Sequence, residues 1–378
     1  MKNKKKNILV AVTTDVVSDM RVQKVCNFLN SLSCNVVVIG RRLPSTFIKK
    51  FPFEIKLLDL PFSKGILFYF AYNLTFFIRG LFKNPDIIVS NDLDTLLPCY
   101  LLSKIKRCDL VYDSHEYYTE SEGLLGKKYK KKIWEAIEQL IFPKLKYIIT
   151  VNDSIAAIYE KKYNKKISVV RNIPPKSKII RLKNKEDLGL RPKTKMVLLQ
   201  GAYIDKDRGG IELVQAMQYI KSDIVLFIIG EGQEITTMKS ITKKLSLSDK
   251  IKFIGKIPHD QLVQYTLNAD LGISIDKATN LNYKYSLPNK IFDYMYSEVP
   301  ILISKLPEII KIHEKYPFGL IINSHDPEHI ASKIEESFVD PNYLNWKKNL
   351  ILASKEYSWE NELIELKQIY KKTTCFSC

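Results

Sequence analysis

Short runs of apolar, largely β-branched residues recur along the chain and alternate with stretches of helical spacing. In the first half they are NILVAVT, NVVVIG, DIIVSND, DLVYDSHE and YIITVND; in the second, MVLLQGA, IVLFIIGEG, IKFIGKI, LGISID and VPILIS. Runs that stay apolar instead of alternating belong to strands covered on both faces, and the helices between them make parallel βαβ units. Two such series predict an α/β chain with two Rossmann-like domains facing across a cleft. Between the series lies VVRNIPPKSKIIRLKNKEDLGLRPKTK, rich in Pro and Lys and without helical period, which reads as a linker. The expected division is a first domain over 1–172, a linker over 173–194, a second domain over 195–355, and a C-terminal helix and tail over 356–378. That last helix, YSWENELIELKQIYKK, spaces Trp359, Leu363, Leu366 and Ile369 to pack back on the body.

In an open parallel sheet, ligands sit beyond the carboxyl ends of the strands, so the residues after each run carry the candidate chemistry. In the first domain these are Asp15, Asp19 and Arg21, then Asp92 and Asp94, then His115 and Glu116. In the second they are Gly201, Lys206 and Arg208, then Gly230 and Glu231, then Asp276 and Lys277. One edge is acidic with a single imidazole and the other is rich in glycine and cations. That contrast suits an anionic ligand on one wall and a hydroxyl-bearing one on the other.

The stretch YSLPNKIFDYMYSEVP sharpens the second edge. Pro288 fits the first turn of a helix, where its missing N–H is not needed, and the free N–H groups there face an anion at the helix end. Asn289 opens that turn, Lys290 adds a mobile cation, and Asp293, one turn in, could accept hydrogen bonds from two vicinal ribose hydroxyls. The plainer alternative makes Asp293 a helix-dipole partner and Lys290 a surface charge. Arg208, before Gly209 and Gly210, can offer a guanidinium fork to a diphosphate, each charge-assisted bond contributing about 1.5–3 kcal/mol. Gly230-Glu231-Gly232 lacks the full dinucleotide fingerprint, so NAD binding is not expected.

Taken in order, NILVAVTTDVVSDMRVQKVCNFL, VVVIGRRLP, SNDLDTLLP, YDSHEYYTE, VVRNIP, LLQGAYIDKDRGG, FIIGEG, FIGKIPHDQL, PNKIFDYM and YSWENE resemble glycosyltransferase family 4. The resemblance is to its retaining, nucleotide-sugar-dependent members of GT-B architecture, and above all to bacterial ones that build surface polysaccharide. It implies an N-terminal acceptor domain and a C-terminal donor domain. It implies donor contacts from Gly201, Lys206, Arg208, Gly230, Glu231, Asn289, Lys290 and Asp293, with Asp293 on the ribose and Arg208 in the diphosphate clamp. Asp19, Arg21, Asp92 and Asp94 fall on the acceptor side, with His115, Glu116 and Asp15 as catalytic candidates that orient acceptor and sugar. The plainer reading of His115 is a hydrogen-bonded structural histidine. The family's paired acidic residue eight positions before Asp293 is Tyr285 here. No protein nucleophile, cofactor or metal is implied.

Charge and composition alter the picture only in part. The net charge of +18 favours polyanionic partners, and 46% hydrophobic residues argue for a folded chain. A nucleic-acid-binding protein would interleave aromatic and basic residues on one strand face, which this chain does not do, so nucleic acid is not an expected partner. A non-hydrolysing nucleotide-sugar epimerase of the same fold, which needs several catalytic carboxylates and histidines, is a runner-up. A non-catalytic nucleotide-binding protein is another. The opening MKNKKKNILVAVTTDV has too short an apolar run for a signal peptide before Asp15, so a cytoplasmic location is expected. Residues 64–84, KGILFYFAYNLTFFIRGLFKN, read as a buried helix, or as a membrane-surface helix seating the enzyme beside a lipid-linked acceptor. His259, His313, His325 and His329 read as loop or helix-surface residues, and the terminal CFSC as a tail with free thiols.

Overall fold

The computed structural model describes residues 5–17, 19–43, 50–176 and 183–373; Cys375 and Cys378 lie outside them. The chain divides into two compact units, Met1–Asn172 with Glu362–Cys378, and Ile173–Asn361. Each is built on one parallel sheet. In the first, β1 (Asn7–Ala11), β2 (Asn35–Arg41), β3 (Glu54–Leu58), β4 (Ile87–Asn91), β5 (Asp109–Ser114), β6 (Tyr147–Thr150) and β7 (Ser168–Val169) lie in the order β3-β2-β1-β4-β5-β6-β7. In the second, β8 (Lys195–Tyr203), β9 (Ile224–Glu231), β10 (Ile251–Phe253), β11 (Leu271–Ser274), β12 (Ile301–Ser304) and β13 (Ile321–Ile322) lie in the order β10-β9-β8-β11-β12-β13. The first strand of each unit is central and the order reverses beside it, which is the doubly wound arrangement.

The second sheet shows why its strands read as unbroken apolar runs. Val197, Leu199, Leu226 and Ile228 enter one core cluster, while their neighbours Met196, Leu198, Phe227 and Ile229 enter another on the opposite face. Successive side chains point to opposite sides, so a sheet covered by helices on both needs an apolar residue at every position. Each such side chain stabilises the fold by roughly 1.5–3 kcal/mol on burial.

The segment read as a linker is more than a connection, since Ile173, Leu188 and Leu190 join the second unit's core. The final helix, Trp359–Lys371, ends in the first unit, where Leu366, Ile369 and Tyr370 are buried and the buried Glu362 accepts from the Arg171 backbone N–H at 2.6 Å. The 64–84 segment forms the helix Ile66–Leu81, of which Phe68, Tyr72, Phe76 and Gly80 are buried. It is therefore not the fully buried helix that was one expectation: Ile66, Leu67, Phe70, Leu74 and Ile78 are exposed.

Candidate functional site

In the second unit, three segments far apart in sequence meet on one carboxylate. Asp276, two residues beyond the end of β11, is completely buried. Its Oδ1 lies 3.1 Å from Arg208 Nη1 and its Oδ2 lies 3.1 Å from Lys290 Nζ. Ser274 Oγ donates to Oδ2 at 3.2 Å, and Ser304 Oγ, at the end of β12, donates to the Asp276 carbonyl. Burial alone would raise Asp276, but Lys290 and Arg208 outweigh it and hold the carboxyl below its usual range. Burial lowers Lys290 from its ordinary value, with Asp276 opposing and Arg208 adding to the fall. Lys290 was expected to be mobile; it is 8% exposed and anchored. Two basic side chains meet on one carboxylate, and Lys290 sits in the first turn of the helix Asn289–Tyr296, the positive end of the helix dipole.

That helix is held in place by its own apolar face. Tyr294 donates from its hydroxyl to the Leu198 carbonyl at 2.8 Å, and its ring covers Gly272 so closely that a methyl group there would meet Cδ2 at 2.6 Å. Pro288 proves to be the residue just before the helix, with extended ψ, and Asn289 is its exposed first residue. Asp293 follows one turn later. Gln200 Nε2 donates to its Oδ2 at 3.0 Å, and His259 Nε2 lies 3.5 Å from its Oδ1. The hydrogen bond to Asp293 raises His259 above its ordinary value, against its burial. His259 was read as a loop or helix-surface residue; it opens the helix His259–Asn268 and is turned onto the candidate ribose carboxylate.

The glycines expected at this edge act through close approach. Gly230, at φ 145°, passes so near the Gly201 carbonyl oxygen that a side-chain methyl would overlap it. Lys206 and Glu231 are exposed, Lys206 in the turn that leads to Arg208 and Glu231 at the end of β9. The structure thus joins Arg208 to Lys290 through Asp276.

In the first unit the candidates separate into two groups. Asp19, Asp92, Asp94 and Glu116 line a cavity of about 740 Å³, together with Arg41, Asn73 and the rings of Tyr69, Tyr118 and Trp134. Arg41 Nε, Asn73 Oδ1 and Asp94 Oδ1 are buried there without a hydrogen-bond partner. Buried polar atoms are normally paired, so three on one cavity wall fit a ligand rich in donors and acceptors. Burial pushes Asp94 up to about 6, against a hydrogen bond from Thr13. Burial also raises Asp92, with His115 opposing.

Arg21, His115 and Asp15 do not line this cavity. Arg21 was placed on the acceptor side, but it is 2% exposed and grips buried Asp113 through Nε and Nη2, with Nη1 on the Val170 carbonyl at 2.8 Å. Its pull and that of His115 overcome burial and hold Asp113 far below the usual carboxylate range. His115 sits with Nδ1 3.4 Å from Asp92, and with Nε2 3.1 Å from Asn91 Oδ1 and 3.6 Å from Asp113. Burial disfavours its charge, but Asp92 and Asp113 prevail and raise it to about 9. It is a fixed cation at neutral pH. Asp15 is buried and accepts from the Val17 backbone N–H, while Asp19 caps the helix Met20–Ser31. Asp113 was the site residue that sequence reasoning left out, and Asp276 was read at its strand end without a role, although both stand at the strand ends it searched.

Among the described residues no group of three or more His, Cys, Asp or Glu side chains is placed to hold a metal ion. Solved structures of the same fold cover almost the whole chain. Sucrose-phosphate synthase from Thermosynechococcus elongatus aligns at TM-score 0.78 and 16% identity, over 97% of this chain and 99% of that one. HepE of Anabaena, in complex with UDP and glucose, aligns at 0.74 and 13%, over 97% and 99%. The lipopolysaccharide outer core galactosyltransferase WaaB aligns at 0.65 and 13%, over 97% and 99%. Comparison with curated proteins finds no match. A family model described as Glycosyltransferase Family 4 matches residues 20–173, in the unit that holds the cavity. The model described as Glycosyl transferases group 1 matches residues 156–356, more than half of the chain, and includes Arg208, Asp276, Lys290 and Asp293, so this chain belongs to the group 1 glycosyltransferases.

Proposed function

We propose that the chain moves a hexose-type sugar from a UDP- or GDP-sugar, with retention at the anomeric carbon, to a lipid-linked or growing oligosaccharide, without a metal. It works in the cytoplasm, at the inner face of the plasma membrane, in the assembly of a surface polysaccharide such as capsule, O-antigen or exopolysaccharide. The observation that carries this reading is the convergence of Arg208 and Lys290 on buried Asp276. The UDP and glucose bound to HepE and the lipopolysaccharide role in the name of WaaB support donor class and pathway.

The transfer breaks the bond between the anomeric carbon and the diphosphate oxygen and forms one from that carbon to an acceptor hydroxyl oxygen on the same face. The hydroxyl proton passes to the leaving phosphate. Negative charge grows on the diphosphate, so cations already fixed in place contribute most, because they need not reorganise during reaction. Arg208, Lys290 and the helix start fill that role, and Asp293 accepts from the ribose. In the first unit the polar atoms and aromatic rings of the cavity suit an acceptor sugar, with hydroxyls for Asp92, Asp94, Glu116 and Asn73 and an apolar face for the rings.

Calorimetric titration with UDP, GDP and a short duplex DNA tests the reading on the wild type and on Arg208→Ala and Asp293→Ala. One nucleotide binding at a single site, weakened by both substitutions, is expected. DNA binding with steep salt dependence and no nucleotide binding would overturn it.

A further inference from the structure

A surface helix ordinarily turns polar residues to water and apolar ones inward. The helix Ile66–Leu81 does not. Its inner face is buried through Phe68, Tyr72 and Phe76, and its outer face carries Leu67, Phe70, Leu74 and Ile78, with Phe70 64% exposed. Phe82, just past its end, is 84% exposed. Beside it lies the helix Leu96–Lys106. The two are locked by Gly80, which has no room for a methyl against Leu102, and by Lys106 Nζ, which donates to the Leu81 carbonyl at 2.6 Å. The second helix exposes Leu97, Leu101 and Ile105, one stripe at helical spacing. Exposed apolar side chains on two locked helices form a contiguous face of the kind that marks an interaction surface.

We propose that this two-helix face is the membrane-docking surface of the protein and rests on anionic phospholipid. Charge selects that occupant. Residues 64–85 and 96–107 contain no acidic side chain, and the exposed Lys64, Arg79, Lys104 and Arg107 border the apolar stripes where headgroup phosphates would lie. The longer helix has 16 residues, about 24 Å at 1.5 Å per residue, and no helix among the described residues is long and apolar enough to cross a membrane. A helix of this kind lies in the interface with its apolar side in the acyl boundary. The face also runs into the cavity: Ile66 and Phe70 belong to both. A lipid-linked acceptor would then reach the cavity without leaving the bilayer surface, a consequence that rests on the transfer reading.

The test is co-sedimentation of the full chain with vesicles of phosphatidylglycerol and phosphatidylcholine, or of phosphatidylcholine alone. It is run on the wild type, on Leu74→Glu/Ile78→Glu and on Leu101→Glu/Ile105→Glu, four positions outside the cavity. Wild type is expected to bind the anionic vesicles, less so in high salt, and each pair of substitutions to lower the bound fraction about tenfold with melting temperature and nucleotide affinity unchanged. The proposal falls if wild type stays in solution with anionic vesicles, or if both variants sediment as wild type does. It falls equally if light scattering finds a wild-type dimer that the variants dissociate and no vesicle binding, since a second copy would then cover the face. Vesicle binding with no nucleotide binding keeps the docking face and removes the transferase reading.

Discussion

At the carboxyl edge of the first sheet, Asp92, Asp94 and Glu116 share a cavity with Arg41, while Arg21 is spent on Asp113 and His115 lies against Asp92. At the same edge of the second sheet, two cations share the single carboxylate of Asp276. The two units share one strand order over six strands, the first adding a seventh, yet one edge gathers carboxylates beside unpartnered polar atoms and the other sets two basic side chains on one carboxylate. Topology fixes where a ligand binds, and the residues that follow the strands decide its sign.

The contrast is broken most severely at its two buried ion pairs. Arg21→Met strands Asp113 in the core and Asp276→Ala strands Lys290, and each is expected to cost about 3–5 kcal/mol of stability, read from urea unfolding. The two should then diverge. Asp276→Ala also abolishes UDP or GDP binding, whereas Arg21→Met leaves it as in the wild type; equal loss in both would mean the second unit's ion pair is only structural. Next in size is Arg208→Ala, which removes a charge-assisted contact of about 1.5–3 kcal/mol and should raise the nucleotide dissociation constant roughly tenfold to a hundredfold by calorimetry.

A pH series sharpens the comparison further. His115 is raised from its ordinary 6.5 to about 9, so the fold binds its proton more tightly than the unfolded chain does. Its contribution is complete below about pH 6.5 and is lost as pH climbs through about 9, a fall of roughly 1–3 kcal/mol. His115→Gln should flatten that part of the stability profile. The smallest effect belongs to His259→Gln, where Asp293 loses a half-exposed partner; nucleotide affinity should weaken by no more than about 1 kcal/mol. Wild-type affinity should decline as pH rises past the elevated His259 value, and the variant's should not.

Much of this was legible beforehand, and the omissions have physical causes. Every unbroken apolar run became a strand of a central sheet, because strands buried on both faces leave that mark. β3, β7 and β13 went unread. Each lies at a sheet edge, where Glu54–Leu58 keeps Glu54 and Lys56 and the other two span only two residues. The first-turn position of Lys290 was readable from the proline before it, but its burial was not, because the residue that anchors it arrives from the end of another strand.

By itself, then, the order of apolar and polar residues determined the two sheets, the strand ends where chemistry gathers, and the sign of each edge, since these follow from local period and from what stands next to each run. Only the tertiary structure decided which charges remain available to a ligand. Arg208 and Asp276 are 68 positions apart, Arg21 and Asp113 are 92, and nothing in either local pattern distinguishes the arginine held at a ligand edge from the one locked in a core. The same holds for the apolar helix Ile66–Leu81. Its composition announced burial, and the packing of one face alone turned the other into a surface.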